Sequence, residues 1–364
     1  MKRQTGEVRT PQALPPKAPQ ESDYQPPIGP PPAVQSSSVN HEQSAAAPLR
    51  LASVQTSSQP SPSRASPPVP DTPGTKLQKQ RNTTYQIRHV NWLDESRDGK
   101  LPSAGLRNSP IMTQNANGPC PLLALVNALV LTTPPDAETS LIETLRTREQ
   151  ISLGLLLDAV FDELVSNRRE GSSEKLPDVS ELYSFLLALH TGMNVNPRFH
   201  KTGAFEETME MRLYSTFNIP LIHGWTAPTD TPAYEAFLRS AQTFEDAQNI
   251  QFMESDLEEK MRSEGLSAQE TQTLEDIHVI KSFLNTWPTQ LTDYGLETMS
   301  KSLRPGQVAI LFRNDHFSTL YKEPNHGALM TLVTDAGYAG HDEIVWESLV
   351  DVNGAASEMF SGDF

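Results

Sequence analysis

Sixteen of the 30 prolines in this 364-residue chain fall within residues 1–80, and that asymmetry decides how much of the chain can fold. Ser, Gln and Ala fill the gaps between them, aromatic residues are few, and no apolar period is sustained. Such a stretch cannot bury enough surface to offset the entropy of ordering it. Residues 1–80 are therefore expected to form a disordered tail, and residues 81–364 a single folded domain. Gly29-Pro30-Pro31-Pro32 could serve as a polyproline ligand for an SH3 or WW domain, but nothing beside it adds specificity, and a solvated linker is the simpler reading.

Charge narrows the partners. The chain carries 29 Lys+Arg against 45 Asp+Glu, and the first 80 residues hold eight and five of these, leaving 21 against 40 in the folded part. A domain that acidic does not suit sequence-independent nucleic-acid binding, which depends on neutralising phosphates. It suits a partner with a basic face. No run reaches the roughly 18–20 apolar residues of a membrane span, and Met-Lys-Arg-Gln-Thr at the start has no apolar core after it, so no secretory signal is expected. The single cysteine excludes a disulfide framework and any multi-cysteine zinc site. No cofactor or metal is called for, and the expected setting is cytoplasmic, with the nucleus also open.

The hydrophobic period changes along the chain. Tyr85 to Trp92 alternates as a strand, and Ile111-Met112-Thr113 is a second short one after a charged, turn-rich stretch over 94–108. Pro121 to Leu131 is mostly apolar and reads as a buried helix ended by Thr132-Thr133-Pro134-Pro135. Helical spacing then recurs from Ile151 to Val165, at Leu182, Phe185, Leu186 and Leu189 with Gly192 as C-cap, over Phe205–Phe217, and from Leu274 to Leu284. Ile219 to Trp225 is a short apolar return, and residues 243–272 read as solvated helix and loop. The last part is strands: 307–312, 316–321, 328–334 and Ile344-Val345-Trp346. Helices followed by an antiparallel meander indicate an α+β fold.

The chemistry centres on Cys120. It follows the turn-forming Asn117-Gly118-Pro119 and precedes a helix whose first turn accommodates Pro121. A helix N-terminus favours a thiolate through its free N–H groups and macrodipole. Six residues upstream, Gln114 offers an amide donor for the oxyanion formed when a thiolate attacks an acyl carbon, which is the spacing of papain-like proteases. The bland alternative, a small buried apolar residue, is about as probable on these residues alone.

A thiolate enzyme needs a base, and among nine histidines His316 stands apart. It follows the tight turn Arg313-Asn314-Asp315 at the head of a strand, where a sheet can hold an imidazole rigidly. No pair of histidines shows the i, i+4 spacing with an intervening glutamate of a zinc hydrolase. Thr334 or Asp335, at the end of the next strand, could orient the ring, and alternation lets only one of them face it. A carboxylate or amide is the papain-type choice, while a hydroxyl can also accept the ring N–H. His223-Gly224-Trp225 reads as a packing turn.

Taken together, Gln114-Asn115-x-Asn117-Gly118-Pro119-Cys120-Pro121-Leu122-Leu123-Ala124, His223-Gly224-Trp225, Phe312-Arg313-Asn314-x-His316-Phe317-Ser318-Thr319 and Val333-Thr334-Asp335-x-Gly337 resemble the signatures of the MINDY deubiquitinases. The resemblance runs from about Tyr85 to Gly354. It implies a papain-like cysteine protease that hydrolyses isopeptide bonds in polyubiquitin and prefers lysine-48-linked chains; separately, no second copy is called for and a monomer is expected. By position it makes Cys120 the nucleophile, His316 the general base, Gln114 the oxyanion donor and Thr334 the residue supporting the histidine. Two positions depart from the pattern. Ala116 replaces an acidic residue, and Asp315 replaces an asparagine, so that a carboxylate beside His316 is expected to raise the imidazole pKa. Larger relatives carry ubiquitin-interacting helices and lipidation signals after the domain. None is recognised before Phe364, so any chain-length preference is expected to reside in the domain. The competing readings are a catalytically weak polyubiquitin-binding module and an unrelated papain-like amidase.

Overall fold

A computed structural model of the chain describes residues 78, 80–94, 106–114, 120–166 and 178–364. The expected disordered tail, the polyproline run, most of the 94–108 stretch, the 167–175 loop and Asn115–Pro119 lie outside these residues. So does the side chain of Cys120, although its backbone opens a helix.

The architecture is mixed helix and sheet, built around that helix, α1 (Cys120–Thr132). Leu122 to Leu131 are buried without interruption, so the helix has no solvent face and must be enclosed. One wall is a three-stranded sheet in which β1 (Thr84–Trp92) lies between β2 (Arg107–Thr113) and a short β3 (Gln150–Ser152), both antiparallel to it. Asn127 is the polar exception within α1. Its amide accepts from Met112 N at 2.7 Å and donates to Met112 O at 3.0 Å, so a fully buried Asn stitches the helix to β2. Arg107 closes the other end of α1. It donates to the carbonyls of Val130, Leu131 and Thr133 while pairing with Asp94 at 2.6 Å, supplying a cation where the helix leaves carbonyls unsatisfied.

The second sheet has six strands in sequential order. These are β4 (Leu221–Ile222), β5 (Val308–Arg313), β6 (His316–Lys322), β7 (Leu329–Leu332), β8 (Trp346–Ser348) and β9 (Met359–Phe360). From β5 onward it is the expected antiparallel meander, while β4 joins β5 in parallel. β5 and β6 pack on α1, and the Thr319 hydroxyl donates to Ala124 O at 3.1 Å. Trp92 makes edge contacts with Tyr321 and Trp346, with ring centroids 5.5 and 6.0 Å apart, and so joins the two sheets.

Further helices follow among the described residues. They are α2 (Ser140–Arg146), α3 (Leu153–Val165), α4 (Val179–Thr191), α5 (Met209–Ser215), α6 (Pro232–Ser240), α7 (Phe244–Asn249), α8 (Glu254–Ser263), α9 (Ala268–Thr286) and α10 (Asp293–Ser302). Two expectations need correction. Ile151 is not on a helical face: it sits in β3 opposite Tyr85, and α3 starts only after Ser152, whose hydroxyl caps it. Phe205 also lies outside a helix, because Thr208 caps α5 and Phe205 instead bridges to Pro197. A satellite core of Phe199, Trp225, Phe237 and Phe283 ties α6 to α9, with Phe199 stacked on Phe237 at 3.9 Å.

Candidate active site

The β5–β6 hairpin turns through only two residues, Asn314 and Asp315, with Arg313 paired to His316. Both turn residues have φ near 55°, the left-handed geometry of a type I′ turn, which Asn and Asp tolerate better than other side chains. This turn delivers His316 as the first residue of β6. β7 runs antiparallel to β6 in a register that pairs Leu320 with Thr331. β7 therefore runs toward the end of the sheet at which β6 begins. At this same end, Gln114 bridges to Asp335, and its backbone N–H donates to Thr334 O at 2.7 Å. Gln114 leaves β2 there, six residues before α1 opens at Cys120. Gln114 and Thr334 are thus joined beyond β7, at the end of the second sheet where the β5–β6 turn delivers His316.

His316 is half-buried, and burial pushes its imidazole below the ordinary histidine value. The expected upward push from Asp315 is therefore overturned. Asp315 Oδ1 accepts from Gln290 Nε2 at 2.8 Å, so that carboxylate is already engaged, and desolvation dominates at His316. Asp335 is also engaged. It is exposed, and its Oδ1 accepts from Gly337 N at 2.6 Å, capping a turn of 3-10 helix (Ala336–Tyr338). Thr334 is half-buried. Gln290 was not a candidate in the sequence, where no motif surrounds it.

The chemistry of other histidines differs. His190 Nδ1 lies 2.5 Å from Tyr85 Oη, while His278, His326 and His341 sit beside Glu254, Glu323 and Glu343. Glu254, Glu258 and His278 bring three ligand atoms within 4.8 Å of one another, yet Lys281 already neutralises Glu254 at 2.5 Å.

The MINDY deubiquitinase family model matches residues 83–364. The chain belongs to the MINDY deubiquitinase family. It is 39% identical over 263 residues to the ubiquitin carboxyl-terminal hydrolase MIY1 of Saccharomyces cerevisiae, covering 71% of this chain and 69% of that protein. To MINDY-2 of Mus musculus it is 32% identical, covering 76% of this chain and 42% of the relative. To MINDY-1 of Bos taurus the figures are 31%, 82% and 60%. The chain thus spans about two thirds of the yeast relative's length and less than half of MINDY-2's. MINDY membership makes it a deubiquitinating hydrolase by family. Among the described residues, no helix is long and apolar enough to cross a membrane.

The MINDY segment His223-Gly224-Trp225 is structural. His223 is fully buried, with Nε2 3.0 Å from Ala204 O, while Trp225 N donates to Nδ1 at 3.2 Å. Burial pushes its imidazole down to about 4. The unfolded chain therefore binds a proton on this residue between pH 6.5 and 4 that the folded chain refuses, and stability falls as pH drops through that window. His223 alone is expected to remove about 2 kcal/mol between pH 7.5 and 5. Urea denaturation at the two pH values checks this, and His223→Gln should flatten the difference. An unchanged slope in that variant would contradict the assignment.

Proposed function

We propose that residues 81–364 form the catalytic domain of a cysteine-type deubiquitinase with a papain-like core, preceded by a tail over residues 1–80, acting in the cytoplasm or nucleus. In this reading the domain hydrolyses isopeptide bonds in polyubiquitin and prefers lysine-48 linkage. The observation that supports it is the backbone bond from Gln114 to Thr334 at the end of the sheet where His316 begins β6, that sheet being packed on the helix that opens at Cys120, in a chain of this family.

The reaction follows from those positions. The Cys120 thiolate, favoured by the helix N-terminus, attacks the isopeptide carbonyl carbon. Gln114 donates its side-chain amide to the developing oxyanion. His316, as imidazolium, protonates the departing lysine amine, then takes a proton from the water that hydrolyses the thioester. Thr334 accepts the other ring N–H and holds the imidazole plane. Asp335 is a poorer orienter because its carboxylate already serves Gly337. The net negative domain suits ubiquitin's apolar patch, which basic residues surround.

Cleavage of long ubiquitin chains of each linkage, with Cys120→Ala alongside, tests the proposal. Shortening of lysine-48 chains by the wild type and none by the variant is the expected result. Retention of those chains without cleavage would favour a binding module instead. Thr334→Val should lower kcat by about tenfold or more while Asp335→Ala stays within about threefold. The reverse order would move the orienting role to Asp335.

A further inference from the structure

Three features converge behind the His316 turn. The first is Gln290, a residue only 7% exposed whose backbone is held at φ 54°, an unusual conformation for a non-glycine residue. Its amide grips one turn residue twice: Oε1 accepts from Asp315 N at 2.9 Å, and Nε2 donates to Asp315 Oδ1 at 2.8 Å. The second is a shared acceptor. Thr289, just before Gln290, and Arg313, just before the turn, both donate to Val352 O, at 2.7 and 2.6 Å. The third is the anchor beneath. Leu291 bridges to Gly224, Thr292 N donates to Gly224 O at 3.0 Å, and Thr292 Oγ1 donates to Thr226 O at 2.8 Å. A rigid line of contacts runs from His223-Gly224-Trp225, through residues 289–292, to the turn that begins β6.

We propose that Gln290 is a positioning residue for catalysis: by clamping Asp315 it fixes the backbone from which the His316 imidazole projects. The proposal rests on the reading of His316 as general base. A two-residue turn transmits displacement directly, since Asp315 and His316 share a peptide bond and little backbone separates the clamp from the ring. It also gives Asp315 a role that leaves its charge out of the titration of His316, in keeping with the downward shift there.

The donor and acceptor pattern supplies a specific test. In Gln290→Glu, one carboxylate oxygen still accepts from Asp315 N, but the other meets the Asp315 carboxylate and the clamp opens. Adding Asp315→Asn restores it, because the asparagine amide can donate where the aspartate accepted. Gln290→Glu is expected to lower kcat on lysine-48 chains by about tenfold or more with KM within about threefold, and to slow Cys120 labelling by a ubiquitin C-terminal electrophile in parallel. The double variant is expected to return kcat to within about threefold of wild type. Should Gln290→Glu prove unfolded by circular dichroism, Asp315→Ala, at an exposed position, removes the same acceptor and is expected to lower kcat by at least about threefold. Wild-type kcat in the folded single variant, or a double variant no better than the single, overturns the proposal. His316→Ala is measured beside them. Activity in that variant would sink the general-base reading itself, whereas an inactive His316→Ala with a fully active Gln290→Glu would sink only the clamp.

Discussion

His316→Ala is expected to lower kcat/KM for polyubiquitin cleavage by about a hundred- to ten-thousand-fold, with binding of the chain retained. On the proposed mechanism the loss follows from two jobs on one ring: protonating the lysine that leaves and deprotonating the water that arrives. Burial already biases His316 toward its neutral form, so the acid limb of the kcat/KM profile should lie below pH 6.5. On the proposed mechanism that limb belongs to the thiol and the imidazole together. A profile from pH 4 to 9, with binding followed separately by fluorescence anisotropy, checks the two parts independently. An acid limb above pH 7 would mean that a negative charge, and not burial, governs the ring.

Gly295→Ala should be strongly destabilising. Gly295 lies in the first turn of α10, where its N–H donates to the Thr292 cap at 2.9 Å. A methyl group there would stand 1.8 Å from the Gly224 carbonyl oxygen, and no side-chain rotation relieves a clash with backbone. Separating the segments costs about 3 kcal/mol or more, even though alanine is the better helix former. The melting temperature should fall by roughly 5–10 °C, measured by calorimetry. The damage should also reach the chemistry. Gly224 anchors the loop that carries Gln290, so kcat should drop at temperatures where the variant is still folded. A variant melting within a degree of wild type would show that α10 and Gly224 are not in contact.

The sequence was most informative where a strong local signal and the tertiary structure agree. Val308–Phe312 and His316–Tyr321 are too apolar and too short between turns for anything but strands, and Pro121 marks the first turn of a helix that burial then completes. It was least informative where an element borrows its stability. Residues 150–152 form a strand only because β1 offers an edge, and α10 buries little beyond Gly295 and Met299, leaving no apolar face to recognise. The same division runs through the site. Gln114 and His316 are flanked by turns and stand out, whereas the bond from Gln114 N to Thr334 O depends on how two sheets meet. Gln290 was invisible for that reason. Its partner lies 25 residues away, and the reason for the contact is a backbone conformation that no nearby residue announces. Asp315 was misread because its charge was legible while its hydrogen-bond partner was not.

The bond from Thr319 to Ala124 joins residues 195 apart in the chain. A ribosome making this protein therefore releases the helix that opens at Cys120 long before His316 and the sheet that packs on that helix. Closure over so wide a separation is slow and comes late in folding. Until β6 has emerged, the largely apolar α1 has only part of its enclosure, and the proposed nucleophile lacks its proposed base. On the proposed mechanism, competence for cleavage would therefore arrive only with completion of the fold.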